Sequence, residues 1–343
     1  MTETHPKATL GVNIPMSKPR VLITTTSFQD TPGDHHRLLK ETGWEIVTAR
    51  GPLNEADTLA LMGDFDGYIC GDDAITAKVL EKALPRLKVI SKYGIGVDKI
   101  DLKTATAKGI PVLFTPGVNH TTVAEHAFLL LLALERNFLF HTDSTRSGGW
   151  KRKTGFELLG KTMGIVGLGR IGKEVAIRAK AFGIELVGHG RHWDDAFAKQ
   201  YGIRRMDTVE DLLKISDYVS LHTDLKPETQ NLICARTIAL MKPGALIVNC
   251  ARGEVVNSAD VAAALKSGAL RGYASDVLDF EPPAADHPLT NLPNSIITPH
   301  IASRTNESVV RQASTAVQNL IAGFRGEKPE GVKNPEVPFK KHF

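Results

Sequence analysis

The chain has 343 residues, of which 42% are hydrophobic and 23% are charged, and this usage argues against a disordered or fibrous protein. The net charge is only +4 and 6% of the residues are aromatic, so we expect no nucleic-acid partner. No apolar run approaches the roughly 20 residues that cross a bilayer, and no membrane partner is expected. The three cysteines lie far apart, which excludes a disulfide framework and a Cys-based zinc site, so we expect a cytoplasmic location and no metal.

Short apolar runs alternate with longer amphipathic segments, which is typical of parallel sheets covered by helices. After a loose tail over residues 1–16, strands are predicted at 21–25, 44–49, 68–70, 87–92 and 111–114, with helices at 34–41 and 76–83. A helix over 121–140 has a broad apolar surface, which predicts cover by a domain or subunit interface. Further strands are predicted at 162–166, 185–188, 218–222, 245–250, 272–276 and 295–298, then a helix at 306–324 and an irregular tail. The pattern therefore predicts two α/β units.

Three glycines follow the first strand of the second unit in the spacing G-x-G-x-x-G: Gly167, Gly169 and Gly172. The first two permit a tight turn and a close approach of the backbone to a pyrophosphate, and the third lets the next helix pack on the strand. The N-terminus of that helix, predicted over 173–182, favours an anion. The motif alone is weak, but the strand before it and the helix after it predict a dinucleotide site.

The end of the next strand bears on the choice of cofactor. NAD-binding units commonly carry an acidic residue there, which binds the ribose 2′-hydroxyl. This chain has Gly190 and Arg191 instead, and the first carboxylate is that of Asp194. The guanidinium of Arg191 could pair with a 2′-phosphate, or it could be a solvated surface group. We predict NADP(H) as the preferred cofactor and keep NAD(H) as the alternative.

Three polar residues follow successive strands of the second unit: Arg252, Glu281 and His300. Ligands of open α/β sheets bind outside the carboxyl ends of the strands, so we expect these side chains to converge. Each alone has an ordinary structural explanation, as a surface ion pair, a loop residue or a hydrogen-bonded histidine. Together they predict hydride chemistry. Arg252 would bind a substrate carboxylate, His300 would exchange the proton with the carbonyl oxygen, and Glu281 would hold the imidazole.

With these motifs the chain resembles the D-isomer-specific 2-hydroxyacid dehydrogenases, the group that includes phosphoglycerate dehydrogenase and glyoxylate/hydroxypyruvate reductase. The resemblance extends over about residues 20–324 and includes the segments 93–98, 115–119, 123–125, 167–172, 241–245, 249–253, 281–282 and 299–300. It implies two Rossmann-like domains, with a doubly wound parallel-sheet cofactor domain inserted into a flavodoxin-like substrate domain. The substrate domain would comprise 1–115 and 305–343, the NAD(P)-binding domain 116–304, and two chains would form a homodimer.

The resemblance also implies residue roles. Arg252, Glu281 and His300 would be the catalytic residues, and Ile95 and Gly96 would bind the substrate together with Arg252 and His300. Implied cofactor contacts, beside the three glycines, Gly190 and Arg191, are Arg170, Ile171, Thr223, Cys250, Arg252, Asp276 and His300. Asp224 is a departure, because family members commonly have proline at this position.

The loop 71–73 faces the substrate in family members, and here it carries Asp72 and Asp73 where phosphoglycerate-using members commonly have a basic residue. Two carboxylates would repel a phosphate, although Lys92 could add positive charge. We therefore expect a small unphosphorylated 2-keto acid such as glyoxylate or hydroxypyruvate. The alternatives are an NAD-linked phosphoglycerate-type dehydrogenase and a dinucleotide-sensing interaction protein on the same fold. Formate- and phosphite-oxidising relatives are a further alternative, but formate-type members commonly have Gln at the position of Glu281.

Overall fold

A computed structural model describes residues 18–343, which form two compact units, 18–116 with 310–343 and 117–309. The tail predicted over 1–16 lies outside the described residues. Each unit contains one sheet whose named strands are all parallel, with helices in most connections between successive strands, which confirms the predicted α/β fold class. Across residues 18–343, none of the helices combines the length and the apolar character needed to span a bilayer.

The first unit is a five-stranded sheet in the order β2-β1-β3-β4-β5, which is the flavodoxin-like order. Its strands are β1 (Arg20–Ile23), β2 (Glu45–Thr48), β3 (Gly67–Cys70), β4 (Val89–Lys92) and β5 (Val112–Leu113). Its helices are α1 (Thr26–Asp30), α2 (Asp34–Glu41), α3 (Glu55–Leu61), α4 (Ala77–Ala83), α5 (Leu102–Ala107) and most of α13 (Asn306–Arg325). Strands β3 and β4 are buried at every position because apolar clusters cover both faces of the sheet.

The segment after α13 is more ordered than the predicted irregular tail. Val332 forms an antiparallel bridge with Leu113 in β5. The buried Asn334 accepts a hydrogen bond from the amide of Val112 at 2.8 Å and donates to the carbonyl of Ile110 at 2.9 Å. The tail thus covers the edge of β5, whose backbone groups would otherwise lack partners.

The second unit is a seven-stranded sheet in the order β12-β11-β10-β9-β6-β7-β8. Its strands are β6 (Thr162–Val166), β7 (Glu185–His189), β8 (Ile203–Arg205), β9 (Tyr218–Leu221), β10 (Ala245–Asn249), β11 (Leu270–Ser275) and β12 (Ser295–Ile297). Its helices are α6 (His120–Glu135), α7 (Phe138–Arg146), α8 (Arg170–Ala181), α9 (Asp195–Tyr201), α10 (Val209–Ile215), α11 (Ala235–Ile238) and α12 (Ser258–Ser267). This is the Rossmann order with a seventh strand, and the strand order reverses between β6 and β9.

Two predictions in the second unit need correction. The single helix predicted over 121–140 is two helices, because Asn137 between α6 and α7 has a φ of +48°. Asparagine tolerates this left-handed conformation better than most residues, and it ends the helical ladder here. Strand β8 was not predicted, since it has only three residues and two of them are exposed arginines.

Candidate active site

The glycine loop lies between β6 and α8, at the point where the strand order reverses. Gly167 has a φ of +98°, and a side chain there would overlap the carbonyl oxygen of His222. A side chain at Gly172 would overlap the carbonyl of Gly167, so the helix packs directly on the loop. At Gly169, the N-cap of α8, a Cβ would meet no protein atom, and the space beside the first helical turn is open. The amides of that turn, which include those of Arg170 and Ile171, have no intrahelical acceptors, so this loop fits a pyrophosphate.

The end of β7 is followed by an exposed arginine, and the first carboxylate beyond it, that of Asp194, is engaged within the protein. Arg191 is exposed just beyond Gly190. Asp194 accepts the amide of Phe197 at 3.0 Å as the N-cap of α9, and it also pairs with Lys173. The hydrogen bond from Lys173 lowers the pKa of the Asp194 carboxyl, which is therefore ionised and engaged within the protein.

A second arginine near this strand end was missed by sequence reasoning. Arg205 is paired in register with Gly188 on β7, and its guanidinium lies 5.3 Å from the centre of the Trp193 ring. The short strand β8 brings it there, and no local motif marks the position. Two exposed guanidinium groups thus belong to this corner of the sheet.

Thr223 and Cys250 also lie at the carboxyl ends of strands. Thr223 follows β9, and its amide is next to the His222 carbonyl that abuts Gly167. Cys250 follows β10 and is 9% exposed, and burial, with a smaller contribution from Asp276, raises the pKa of its thiol. A buried, protonated thiol is a packing group rather than a nucleophile.

Arg252 is positioned by a turn that Asn249 holds. Asn249 is fully buried, its Oδ1 accepts the amide of Ala251 at 3.0 Å, and its Nδ2 donates to the carbonyl of Arg252 at 2.9 Å. A side chain at Gly253 would overlap the backbone of Leu278, so the Arg252 turn lies directly against the loop that leads to Glu281. Glycine is required here by close approach, and Asn249 is a supporting residue that sequence reasoning did not single out.

Glu281 and His300 meet as the sequence predicts. Glu281 Oε2 lies 2.7 Å from His300 Nδ1, and Oε1 accepts the amide of Leu278 at 2.9 Å. An ionised carboxylate can only accept hydrogen bonds, so Nδ1 of His300 carries the proton in this contact. The side chains of His300 and Glu281 are 35% and 31% exposed, so a small molecule can reach the pair.

His300 has an unusual backbone conformation. Its φ is +53°, in the left-handed region that residues other than glycine rarely adopt. Such a conformation costs on the order of 1–3 kcal/mol and persists only where the surroundings hold it, often at functional sites.

Asp276, which follows β11, holds the segment after His300. It is 1% exposed and accepts the hydroxyl of Thr298 at 2.6 Å and the amides of Ile301 and Ala302 at 2.9 and 2.7 Å. Burial would raise the pKa of this carboxyl, but hydrogen bonds, including one from His126, outweigh burial and lower it. The contact of Asp276 with a cofactor stays a prediction.

Residues 128–302 match the sequence model of the D-isomer specific 2-hydroxyacid dehydrogenase family, NAD binding domain. The chain belongs to this dehydrogenase family. It is 41% identical over 331 residues to a glyoxylate reductase of Pyrococcus furiosus, covering 93% of this chain and 96% of the relative. It is 39% identical over 326 residues to a D-3-phosphoglycerate dehydrogenase of Methanocaldococcus jannaschii, covering 94% of this chain but only 61% of that relative. The crystal structure of a D-lactate dehydrogenase from Aquifex aeolicus, complexed with NAD and lactic acid, is 28% identical with a TM-score of 0.81, covering 92% of this chain and 99% of that one.

The family resemblance also implied substrate contacts in the first unit. Ile95 and Gly96 lie in the loop that follows β4. This loop is anchored where the amide of Gly94, a residue with a φ of +126°, donates to the hydroxyl of Thr115 at 3.0 Å. The two residues therefore lie beyond the carboxyl end of a central strand, and their contact with substrate stays a prediction.

The electrostatic argument from loop 71–73 does not hold for both of its acids. Asp73 is fully buried and accepts the hydroxyl of Thr24 at 2.5 Å and the amide of Leu53 at 2.8 Å, so it organises the loop from within. Asp72 lies 2.6 Å from the ammonium of Lys92, which balances its charge. The sequence predicts two carboxylates that repel a phosphate. In the structure Asp73 is buried within the loop, and the charge of Asp72 is balanced by Lys92.

Proposed function

We propose that this dehydrogenase-family protein transfers a hydride between NAD(P)H and C2 of a small 2-keto acid, producing a D-2-hydroxy acid. The observation that carries the proposal is the Glu281–His300 hydrogen bond of 2.7 Å, at the same edge of the sheet as the glycine loop. The names of the glyoxylate reductase and phosphoglycerate dehydrogenase relatives support the class of substrate.

In this proposal the bound nicotinamide supplies or accepts the hydride. Arg252 binds the substrate carboxylate through its planar guanidinium and draws electron density from the adjacent carbonyl. His300 donates a proton from Nε2 to the carbonyl oxygen during reduction and takes it back during oxidation. Glu281 keeps the ring oriented through Nδ1 and stabilises the imidazolium form.

NADPH preference is the finer part of the proposal. Arg191 and Arg205 offer two guanidinium groups at the end of β7, whereas the Asp194 carboxylate is engaged by Lys173 and the cap of α9. Loss of one charge-assisted contact weakens binding by about 10- to 100-fold, so Arg191→Ser should raise the KM for NADPH by that factor and leave the KM for NADH nearly unchanged. Equal effects on both cofactors would refute the preference and favour NAD(H).

The test of the reaction is consumption of reduced nicotinamide with glyoxylate, hydroxypyruvate, pyruvate and phosphohydroxypyruvate, each with NADPH and with NADH. Because Lys92 balances Asp72 and Asp73 is buried, phosphohydroxypyruvate is a second candidate that the charge of the loop does not disfavour. Arg252→Ala should chiefly impair the use of the 2-keto acid. Tight dinucleotide binding without turnover of any of the four acids would refute the proposal and favour a dinucleotide sensor.

His300→Ala should lower kcat by about 100- to 10,000-fold while dinucleotide affinity changes little. His36→Ala is the matched control, because His36 is an exposed histidine of α2 in the first unit, where its ring meets the carbonyl of Thr31 and lies against the rings of Phe28 and His35. A near-normal rate in His300→Ala would remove the acid–base assignment.

We further propose a cytoplasmic homodimer. Eight of the ten large hydrophobic side chains exposed among residues 18–343 belong to the second unit between 129 and 182, among them Trp150 at 75% and Leu159 at 71% exposure. A concentration of exposed apolar groups is typical of an interface, and three free thiols fit a reducing compartment. Sedimentation equilibrium should give twice the chain mass, and Trp150→Ser with Leu159→Ser should shift it toward the monomer.

A further inference from the structure

Three consecutive backbone amides converge on one residue in the second unit. The amide of His300 donates to the backbone carbonyl of Asp276 at 2.9 Å. The amides of Ile301 and Ala302 donate to Oδ1 and Oδ2 of the same residue at 2.9 and 2.7 Å. His300 has a left-handed backbone conformation, which persists only if the neighbouring residues hold it. The orientation of the Asp276 carboxylate controls these neighbours, because both of its oxygens accept their amides.

A chain of hydrogen bonds runs from this carboxylate to helix α6. Thr298 Oγ1 lies 2.6 Å from Asp276 Oδ1, and His126 Nε2 lies 2.9 Å from Thr298 Oγ1 and 3.4 Å from Asp276 Oδ1. An ionised carboxylate only accepts, so the single hydroxyl proton of Thr298 points toward Asp276. The hydroxyl oxygen must then accept from His126, whose Nε2 therefore carries a proton. The donors run in one direction, from His126 through Thr298 to Asp276.

The place of His126 is unusual for a polar side chain. It is 11% exposed, on a helix whose neighbouring turns bury Val123, Ala127 and Leu130. Burial of an imidazole costs free energy that an apolar residue would not incur. The Nε2 atom of His126 meets Thr298 and Asp276, the two residues that hold the segment after His300. The position of His126 therefore serves that segment.

We propose that His126 is a positioning residue for His300. It acts through Thr298 and Asp276, and the inference rests on the proposed function. The His126 N–H keeps the Thr298 proton directed at Oδ1, and the two donors together fix the plane of the carboxylate. In that plane both oxygens meet the amides of Ile301 and Ala302. Without His126 the hydroxyl and the carboxylate can rotate, the backbone at His300 relaxes, and the imidazole moves relative to the substrate carbonyl.

The test compares His126→Leu, which removes the donor, with His126→Gln, whose side-chain amide can place an N–H at similar reach. A displacement of about 1 Å in a reacting group can cost about 100-fold, so His126→Leu should lower kcat by about 10- to 100-fold. The dissociation constant for NADPH, measured by fluorescence without substrate, should change by less than about threefold. His126→Gln should recover most of kcat, which a purely space-filling role would not allow, because leucine fills the site better than glutamine.

Thr298→Val tests the same chain of bonds from its middle and keeps the volume of the side chain. Thr298→Val should lower kcat to a similar extent. If the two residues act through one chain of bonds, the double variant with His126→Leu should have a kcat within about threefold of that of the slower single variant. Glu125→Gln is the control on the same helix, since its 59%-exposed carboxylate contacts only Arg178 on the surface. The control should retain the parent rate.

Two results would overturn the inference: a kcat of His126→Leu within about twofold of the parent, or a loss of kcat that His126→Gln does not recover. If the leucine variant does not fold, Thr298→Val and His126→Gln decide the question by the same criteria. His300→Ala is measured in parallel. If His300→Ala is inactive while His126→Leu is fully active, only the present inference fails, whereas a parent protein that turns over none of the four acids refutes the proposed function as well.

Discussion

Replacement of Asp276 by Asn tests how firmly the carboxylate holds the His300 segment. The substitution keeps size and shape but turns one acceptor oxygen into an NH2 donor. Oδ1 accepts from Thr298 and Ile301, and Oδ2 accepts from Ala302, so in either orientation the new NH2 group faces a backbone N–H. The less costly orientation directs NH2 at Ala302.

The magnitude follows from these contacts. One hydrogen bond to a charged acceptor, about 1.5–3 kcal/mol, is lost, and the remaining bonds weaken because the acceptor becomes neutral. Because the site is 1% exposed, water does not replace the lost acceptor. We therefore expect the free energy of unfolding to fall by about 3–5 kcal/mol, the range for a broken buried polar pair.

The assay is urea unfolding followed by tryptophan fluorescence, since Trp150 and Trp193 both belong to the second unit. A thermal scan should show a decrease of about 6–20 °C, at about 2–4 °C per kcal/mol for a domain of this size. A loss below about 1 kcal/mol would refute the reasoning.

The same variant has a signed pH dependence. The pKa of Asp276 is lower in the folded state than in the unfolded chain. Its contribution to stability is therefore complete above the unfolded value of about 3.9, and it is lost as the pH falls through the folded value. The stability difference between parent and variant should be constant between about pH 7 and 5 and shrink below about pH 4. A difference that stays constant down to about pH 2 would show that the carboxylate charge is not its source.

Three further predictions concern the second unit. Arg271→Leu should lower the free energy of unfolding by about 3–5 kcal/mol, because it leaves the fully buried Glu135 carboxylate without its bidentate partner. A loss under about 1 kcal/mol in urea unfolding would contradict this. Gly253→Ala should cost about 3 kcal/mol and reduce kcat, since the new methyl overlaps the Leu278 backbone, and parent-like stability and rate would rule out that close approach. In a thiol titration of the native protein, Cys234 should react first, because hydrogen bonds from backbone amides lower the pKa of its thiol while the other two cysteines are buried. A fast phase that survives in Cys234→Ser would disprove this assignment.

Much of the candidate site could be predicted because its signals are local. The spacing of Gly167, Gly169 and Gly172 reflects what a strand–turn–helix needs at each position, and the structure gives a steric or open-space reason for each. Arg252 and His300 could be assigned to one edge of the sheet because parallel strands all end at the same edge. Such inferences need only the order of the elements and the direction of the strands.

What the sequence by itself determined is therefore the fold class, the family, the dinucleotide loop and the ordered strand ends with their polar residues. Tertiary structure alone decided which polar side chains are accessible at the strand ends and which are buried supports. Asp73 is a buried residue that holds its own loop by hydrogen bonds, and His126 is hydrogen-bonded to Thr298, which lies 172 positions away in the sequence. Burial and hydrogen-bond partners depend on residues distant in the chain, so no local pattern encodes them.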